Sequence, residues 1–321
     1  MATYKGIQGY TVQKLSSDPS PAESVQGQLW YNTTAGKFKI AVAGAGAWAA
    51  GTAFNTARGY FAGAGTTTAG LLFGGQSAPT TFYANTEPWN GTAWTEVGDL
   101  PTALQGVTGF VTNTAAVSFG GYPSVNAANK WNGTSWTSTG VVNTGMAWGG
   151  ASGTQTAGLK FGGNDYLAAT ETFDGSTWTS VNSLNDDGKQ GFPTTHGTQT
   201  ATMWAGGENR KDSNEQYDGT SWTEIADLNT GRSAGGSSGI VTAALAFGGN
   251  VPPRTAVCEK WDGTSWTEVG DLVTGNNQGV GIGAAAASAF NCGGTPTPPT
   301  YVNAVEEWAD PVYSSKTVTV R

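Results

Sequence analysis

The chain has 321 residues, of which 12% are charged, and its formal net charge is −8. This length can bury a large core in one big domain or two ordinary ones. Only 15 Lys and Arg are present and they do not cluster, which argues against nucleic acid as a partner, and no apolar run is long enough to span a bilayer.

Residues 1–49 form a first segment that differs from everything after it. Residues 1–15 lack the hydrophobic core of a signal peptide, which predicts that the usual secretion route is not used. Residues 16–24, SSDPSPAES, are typical of a loop, and residues 27–40, GQLWYNTTAGKFKI, predict two short strands around a turn. We interpret this segment as an attachment or assembly region with one β-hairpin.

Three landmarks then recur in a fixed order and divide residues 50–321 into six units. The first is a strand that ends in Gly-Gly, the second an aromatic residue, and the third a Trp after a turn. The Gly-Gly pairs are at 74–75, 120–121, 162–163, 206–207, 248–249 and 293–294. The aromatic residues are Trp89, Trp131, Phe173, Tyr217, Trp261 and Trp308. The third set is Trp94, Trp136, Trp178, Trp222 and Trp266, with Trp48 as an upstream copy.

The string WDGTSW at residues 261–266 joins the last two landmarks and predicts a β-hairpin. Asp-Gly or Asn-Gly supplies the positive φ of a tight turn, and the two aromatic residues lie near each other across it. No unit shows a helical pattern, and a period of 42–46 residues with four short antiparallel strands is typical of a propeller blade. The predicted fold class is therefore all-β, a six-bladed β-propeller in which Gly-Gly pairs let backbones approach closely.

The outermost strand of the sixth unit has two candidates. Residues 312–321, VYSSKTVTVR, alternate strictly and fit that strand. Alternatively, residues 37–48, KFKIAVAGAGAW, cross over and close the ring with a strand from the N-terminal segment. The two cysteines, Cys258 and Cys292, have no metal-type spacing and are interpreted as buried free thiols.

The landmarks resemble the Kelch family of β-propellers over residues ~50–321. They share the Gly-Gly after an apolar strand, the aromatic residue some ten or more positions later, and the Trp five positions after that. The hairpin at residues 27–40 is similar to one met in tail and fibre proteins of bacteriophages, often ahead of a Kelch-like array. Together these resemblances imply a propeller in a virion protein, although Kelch propellers serve many purposes.

Enzymatic chemistry is not predicted, and neither a cofactor nor a metal ion is expected. His196 is the only histidine, and we interpret it as a surface residue of a Gly/Thr loop. A single histidine excludes the copper chemistry known on Kelch scaffolds. The five arginines, at positions 58, 210, 232, 254 and 321, do not suggest the arginine triad of a sialidase. Paired carboxylates for glycoside hydrolysis remain an alternative. The loop carboxylates are Asp165, Asp186, Asp187, Glu208 and Asp212.

Ligand binding is predicted for one face of the propeller. In each unit, the loop between the second and third strands lies on the same face as the loop that leads to the next unit. The loops between the second and third strands vary most from unit to unit. Exposed aromatic rings beside polar groups suit sugar recognition, whereas ordinary loop variability is the alternative. The candidate ligand-binding residues are Arg58, Tyr83, Tyr122, Asp165, Tyr166, Arg210, Lys211, Arg232, Arg254 and Tyr301.

The function that these observations favour is that of a non-enzymatic phage virion protein, a tail, fibre or particle-surface component. Residues 1–49 would bind other virion proteins within an oligomer or larger assembly, and the propeller would bind a host-surface polysaccharide or protein. Two alternatives stay open. The chain could be a hydrolase or lyase that acts on host polysaccharide, or a purely structural decoration protein.

Overall fold

The structure is a computed structural model that divides the chain into two compact units, Met1–Gly46 with Asp310–Arg321, and Ala47–Ala309. The first unit therefore ends at residue 46 rather than 49 and also takes in the C-terminal residues. Among the described residues no helix is long and apolar enough to cross a membrane. The structure describes residues 12–19, 27–43, 46–78, 80–123, 125–164, 167–252, 254–298, 300–310 and 313–319.

The described chain is all-β apart from a 3-10 turn at Glu208–Arg210. The strands of the first unit and the first sheets are β1 (Gln13–Leu15), β2 (Leu29–Asn32), β3 (Lys37–Ala43), β4 (Ala47–Ala50), β5 (Ala62–Thr66), β6 (Ala69–Phe73), β7 (Gln76–Ala78), β8 (Thr81–Phe82), β9 (Thr86–Pro88), β10 (Thr108–Thr112), β11 (Ala115–Phe119), β12 (Ala127–Trp131) and β13 (Trp136–Val141). The others are β14 (Gly150–Thr154), β15 (Ala157–Phe161), β16 (Thr170–Phe173), β17 (Trp178–Val181), β18 (Phe192–Pro193), β19 (Thr202–Gly207), β20 (Lys211–Tyr217), β21 (Trp222–Ile225), β22 (Gly236–Ile240), β23 (Ala243–Phe247), β24 (Cys258–Trp261), β25 (Trp266–Glu268), β26 (Val280–Ala285), β27 (Ser288–Cys292), β28 (Val305–Ala309) and β29 (Tyr313–Thr317).

The smaller unit is one mixed sheet in the order β1-β2-β3-β29. The expected hairpin is present, because β2 and β3 pair antiparallel, while β1 lies parallel to β2. Asp18 holds the sheet together: it accepts hydrogen bonds from Trp30 Nε1 at 3.2 Å, Asn32 Nδ2 at 2.7 Å and the hydroxyl of Ser315 in β29. These bonds hold the pKa of Asp18 below its usual range, with the Ser315 contact the largest cause.

The larger unit is a succession of small antiparallel sheets, which gives it a propeller-like architecture. Four sheets have four strands in chain order, β10 to β13, β14 to β17, β18 to β21 and β22 to β25. The sheet before them has three strands, β5-β6-β9, and the bridge between Trp89 and Trp94 stands where the others have a fourth strand. The prediction of four full strands in every unit is therefore wrong for the first one.

The sixth sheet has the order β26-β27-β28-β4, so its outer strand comes from residues 47–50. In its register Trp48 lies opposite Trp308, as Trp266 lies opposite Trp261 in the preceding sheet. The prediction that the C-terminal residues supply this strand is wrong, since β29 pairs with β3 in the smaller unit. The alternative, a strand from residues 37–48, is right only for its last two residues, because Ala47 and Trp48 belong to β4 whereas Lys37–Ala43 form β3 of the smaller unit.

The repeated hairpin is a four-residue loop closed by its own Asp or Asn. Asp262 Oδ1 accepts the N–H groups of Thr264 at 2.8 Å and Ser265 at 2.9 Å, while Gly263 has a φ of +98°. The same two bonds form at every copy. The acceptors are Asn90, Asn132, Asp174, Asp218 and Asp262. The string is thus a turn that each repeat needs.

The core lies between neighbouring sheets, where an aromatic residue before Gly-Gly packs on the hairpin Trp of the next sheet. The ring centroids of Phe73 and Trp136 are 5.0 Å apart, and those of Phe161 and Trp222 are 4.9 Å apart. The same contact joins Phe247 to Trp48 at 4.7 Å. Cys258 and Cys292 are free and buried, as expected.

Candidate ligand-binding pocket

Six residues, each just before the first strand of a sheet, are joined by backbone hydrogen bonds into a closed cycle. We call them the ring positions: Tyr60, Gly106, Trp148, Gln190, Ala234 and Gln278. Each N–H donates to the carbonyl oxygen of the preceding ring position, at 2.6 to 2.9 Å, and Tyr60 donates to Gln278. The first strands lie side by side in the same order, and β26 neighbours both β22 and β5.

Every ring position has a left-handed backbone. Seven non-glycine residues with positive φ occur in the described chain, and five of them are the non-glycine ring positions. A side chain in this region costs on the order of 1–3 kcal/mol and persists where the surroundings impose it. The ring of hydrogen bonds is what imposes it here, so the side chains of Tyr60, Trp148, Gln190 and Gln278 are held in place by the scaffold.

A pocket of about 130 Å³ lies among the first strands of these sheets, and all six ring positions line it. The rest of its wall is formed by Phe61, by Pro193 of β18, and by glycines and smaller side chains in or just before the first strands. Thr195 also lines it, and its hydroxyl donates to the carbonyl of Gly283 near the end of β26, so it lies away from the ring positions. Among the described residues that line it there is no Asp, Glu, Lys, Arg or His. The wall is therefore neutral.

An aromatic cluster stands at the ring positions. The indole of Trp148 lies 5.8 Å from the ring of Tyr60 and 5.5 Å from that of Tyr122, measured between centroids. Lys189 Nζ is 5.5 Å from the Trp148 ring and forms an ion pair with Glu208 at 2.9 Å. Tyr122 is 44% exposed, so the cluster continues from the half-buried pocket lining to the surface.

The polar groups of the ring are uncharged donors and acceptors. Burial raises the pKa of the Tyr60 hydroxyl to about 12, against a hydrogen bond with Gln190 that lowers it. The phenol is therefore protonated at neutral pH. Gln278 Oε1 accepts from the Thr295 hydroxyl at 2.8 Å, which orients that amide. Two amides and a phenol beside an indole can bind hydroxyl groups while the ring faces cover C–H surface.

Three of the predicted binding residues lie close to this pocket. The ring of Tyr122 packs against that of Trp148 in a tilted arrangement, and the ring of Tyr301 packs against Gly59, next to Tyr60. The Tyr301 hydroxyl accepts from Gln76 Nε2 at 2.5 Å. Arg254 donates from Nε to Asn277 Oδ1, also at 2.5 Å, beside the ring position 278.

Arg58 and Arg232 do not face the loop surface, and that prediction is wrong. Both are fully buried. Arg58 forms an ion pair with Glu87 at 3.1 Å, and Arg232 forms one with Glu259. Each guanidinium compensates a carboxylate on the third strand of its own sheet, which is a structural role.

Of the other predicted residues that the structure describes, Tyr83, Arg210 and Lys211 do not line the pocket. Tyr83 donates its hydroxyl to Ser77 at 2.8 Å. Arg210 is exposed in the 3-10 turn, and Lys211 forms ion pairs with Asp186 and Asp187. Asp165 and Tyr166 lie outside the described residues.

The sequence interpretation missed Tyr60, Trp148, Gln190 and Gln278. A signal was present, because each ring position stands 14 to 16 residues before a Gly-Gly pair and is varied among otherwise similar repeats. His196 is half-buried rather than on the surface, and burial lowers its pKa. The backbone N–H of His196 donates to the carbonyl oxygen of Gly239 in β22.

Within the described residues no group of three or more His, Cys, Asp or Glu is arranged to hold a metal ion. Comparison of the chain with known protein families and with curated proteins finds no match in either.

Proposed function

We propose that residues 47–309 form a six-bladed propeller whose ring positions bind a neutral saccharide without catalysis. Two closed cycles support the six-bladed ring. The first is the cycle of ring positions, and the second runs from each Gly-Gly pair to the next sheet, as from Gly75 N to Leu104 O at 2.8 Å and from Gly294 N to Arg58 O at 2.9 Å. A Cβ at Gly74 would lie 2.6 Å from Val107 Cγ1, so the pair permits the close approach that this second cycle requires.

The observation that carries the binding proposal is the combination at the ring positions of an indole, a phenol and two amides around a wall without charge. A neutral sugar presents a C–H face and several hydroxyl groups, which match an aromatic face and amide donors and acceptors. An anionic sugar would need a cation in the wall, and the described lining offers none. Trp148 supplies the stacking face, and Gln190 and Gln278 supply polar contacts.

We further propose that the protein is a component of a phage particle and that the smaller unit attaches it to other virion proteins. The support is the resemblance of residues 27–40 to tail-protein hairpins. A difference in charge adds to it: residues 1–46 and 310–321 carry six Lys and Arg against three Asp and Glu, whereas residues 47–309 carry nine against 20. A cationic attachment unit and an acidic display unit suit separate partners.

The experiment is titration of the full chain with a panel of neutral and acidic oligosaccharides, followed by calorimetry on the best ligand. We expect binding to the neutral class, and roughly tenfold weaker binding for Trp148→Ala, about 1.4 kcal/mol. Val141→Ala, on an exposed outer strand, is the control and should bind like the parent. Binding unchanged by Trp148→Ala would contradict the proposal, and release of reducing sugar would favour the enzymatic alternative.

A further inference from the structure

In several repeats a cation accompanies the buried glutamate of the third strand. Glu87, Glu171 and Glu259 each accept backbone N–H groups of the loop before their sheet and also contact a cation. For Glu87 and Glu259 it is an Arg two positions before the ring position. For Glu171 it is Lys160, two positions before Gly-Gly, with Nζ 3.1 Å from Oε1.

The sixth repeat keeps the glutamate and lacks the cation. Asn276 stands at the position of Arg58 and Arg232, and Asn291 at the position of Lys160. Within the part of the chain that the structure describes, Glu306 accepts the N–H groups of Val273, at 2.7 Å, and Thr274, at 3.1 Å, and no cation contacts it. Burial raises the pKa of Glu306, whereas the bonds from Val273 and Thr274 lower it.

The side chain of Glu259 shows what Glu306 is missing. In the fifth repeat Asn229 donates both its backbone N–H and its side-chain Nδ2 to Glu259, at 2.7 and 2.8 Å, and Arg232 adds its guanidinium. In the sixth repeat Val273 replaces that asparagine, so its side chain donates nothing.

A cavity of about 220 Å³ occupies the place of the absent arginine. Glu306, Asn276, Asn291 and Thr274 line it. Asn276 is only 7% exposed, and its buried Oδ1 has no hydrogen-bond partner among the described residues. The volume is several times the roughly 30 Å³ that one water occupies in the liquid. In the fourth repeat, Gly188 stands at the position of the arginine, and the indole of Trp204 packs against it and fills the corresponding space.

We propose that this cavity binds a cationic nitrogen group, a guanidinium or a primary ammonium, which pairs with Glu306 and donates to Asn276 Oδ1. A guanidinium presents a planar fork of N–H donors that matches a carboxylate, and it occupies the equivalent position in the first and fifth repeats. Thr274 is exposed and Glu306 half-buried, so the group reaches the cavity from solvent. A divalent metal ion is disfavoured, since the lining supplies a single carboxylate and Ca²⁺ takes six to eight oxygens.

The test uses the full chain and methylguanidinium chloride at millimolar concentration, with KCl replaced to hold ionic strength constant. We expect a saturable rise in Tm of about 1–3 °C, matched by a saturable shift of the Asn276 side-chain amide NMR signals. Propylammonium should act similarly and CaCl₂ should not. Absence of a saturable response in the parent protein, or a larger one to CaCl₂, would overturn the proposal.

Two variants and a control locate the response. Asn276→Arg places a tethered guanidinium in the cavity, so it should raise Tm by itself and abolish the response to methylguanidinium. Glu306→Gln should also abolish that response. Val141→Arg adds the same charge at a 54% exposed position and should respond like the parent. An undiminished response in Asn276→Arg would show that the ligand binds elsewhere.

Discussion

The backbone N–H of Tyr60 donates to the carbonyl oxygen of Gln278 at 2.9 Å, which joins the first repeat to the sixth. The same two repeats share no chain connection at that point, because Gln278 precedes the last sheet and Tyr60 the first. The bond therefore has to be made by folding alone. It completes the cycle of ring positions. The pairing of Trp48 with Trp308 is a separate contact between a residue that precedes the first sheet and the sixth sheet.

We expect Trp48→Ala to lower the free energy of unfolding by about 3–5 kcal/mol. Trp48 is 5% exposed, and its ring lies 4.7 Å from Phe247 and 5.6 Å from Trp308, so truncation leaves a cavity between the fifth and sixth sheets. Denaturant unfolding measures the loss. Val141→Ala, also on an outer strand, should stay within about 0.5 kcal/mol of the parent. Equal effects of the two changes would refute an outer-strand role for residues 47–50.

Removal of the buried Arg232 should be costly because it leaves Glu259 as an uncompensated buried charge. We expect Arg232→Met to lose about 3–5 kcal/mol of unfolding free energy, whereas Arg210→Ala should lose no more than about 0.5 kcal/mol. The double variant Arg232→Met/Glu259→Gln should recover part of the loss, as a double-mutant cycle by denaturant melts would show. Strict additivity of the two changes would contradict the assigned pairing.

The hairpin aspartates predict a specific acid dependence. Hydrogen bonds from Ser221 and Thr220 lower the pKa of Asp218 to about 2, and bonds from Thr264 and Ser265 do the same for Asp262. Because their pKa is lower in the folded state, the charged carboxylates stabilise the folded protein at pH values above the ordinary pKa near 3.8. This contribution is lost as the pH falls toward 2.

We therefore expect the double variant Asp218→Asn/Asp262→Asn to melt below the parent at pH 5 and to converge with it near pH 2. Asn accepts the same backbone bonds at Asn90 and Asn132, so the turns should persist. Thermal melts from pH 5 to pH 2 measure the difference. Melting curves that stay parallel over this range would show that these carboxylates do not couple to folding.

Gly106 and Trp148 should be energetically coupled. A Cβ at Gly106 would lie 2.7 Å from Trp148 Nε1, and its φ is +64°. We expect Gly106→Ala to cost about 1–2 kcal/mol through backbone strain, with a further loss from displacement of the indole. In a Trp148→Gly background the indole is absent and only the strain remains. Unfolding free energies of the four proteins test this, and an equal cost of Gly106→Ala in both backgrounds would exclude the contact.

Much of the scaffold could be predicted from the sequence because one physical solution is repeated. Asp-Gly or Asn-Gly fixed the hairpins, and the spacing of Gly-Gly fixed the units. The outer strand of the sixth sheet was ambiguous, since β-propensity favoured residues 312–321 and the landmark spacing favoured Trp48. The register opposite Trp308 decides between them, and a strand pattern contains no information about its partner.

The pocket was less accessible from sequence. Tyr122, Tyr301 and Arg254 were selected as loop residues and do lie near it, whereas Arg58 and Arg232, selected from the loops between one unit and the next, are fully buried. Neither charge nor position in a loop shows whether a side chain is buried. Glu87 and Glu259, which pair with the two arginines, stand 29 and 27 positions away along the chain. Trp148 belongs to none of the three landmarks, and the hydrogen bonds that join its backbone to Gly106 and Gln190 in other repeats cannot be read from the sequence.

The sixth sheet has a consequence for synthesis on the ribosome. Residues 47–50 leave the exit tunnel early, yet their partner, β28, is among the last strands to be translated. The four sheets from β10 to β25 are each built from contiguous chain and can form as they emerge. Until β28 arrives, Trp48 stays unpaired on a nascent chain. A ribosome that stalls before residue 305 thus holds a nascent chain whose unpaired indole chaperones can recognise.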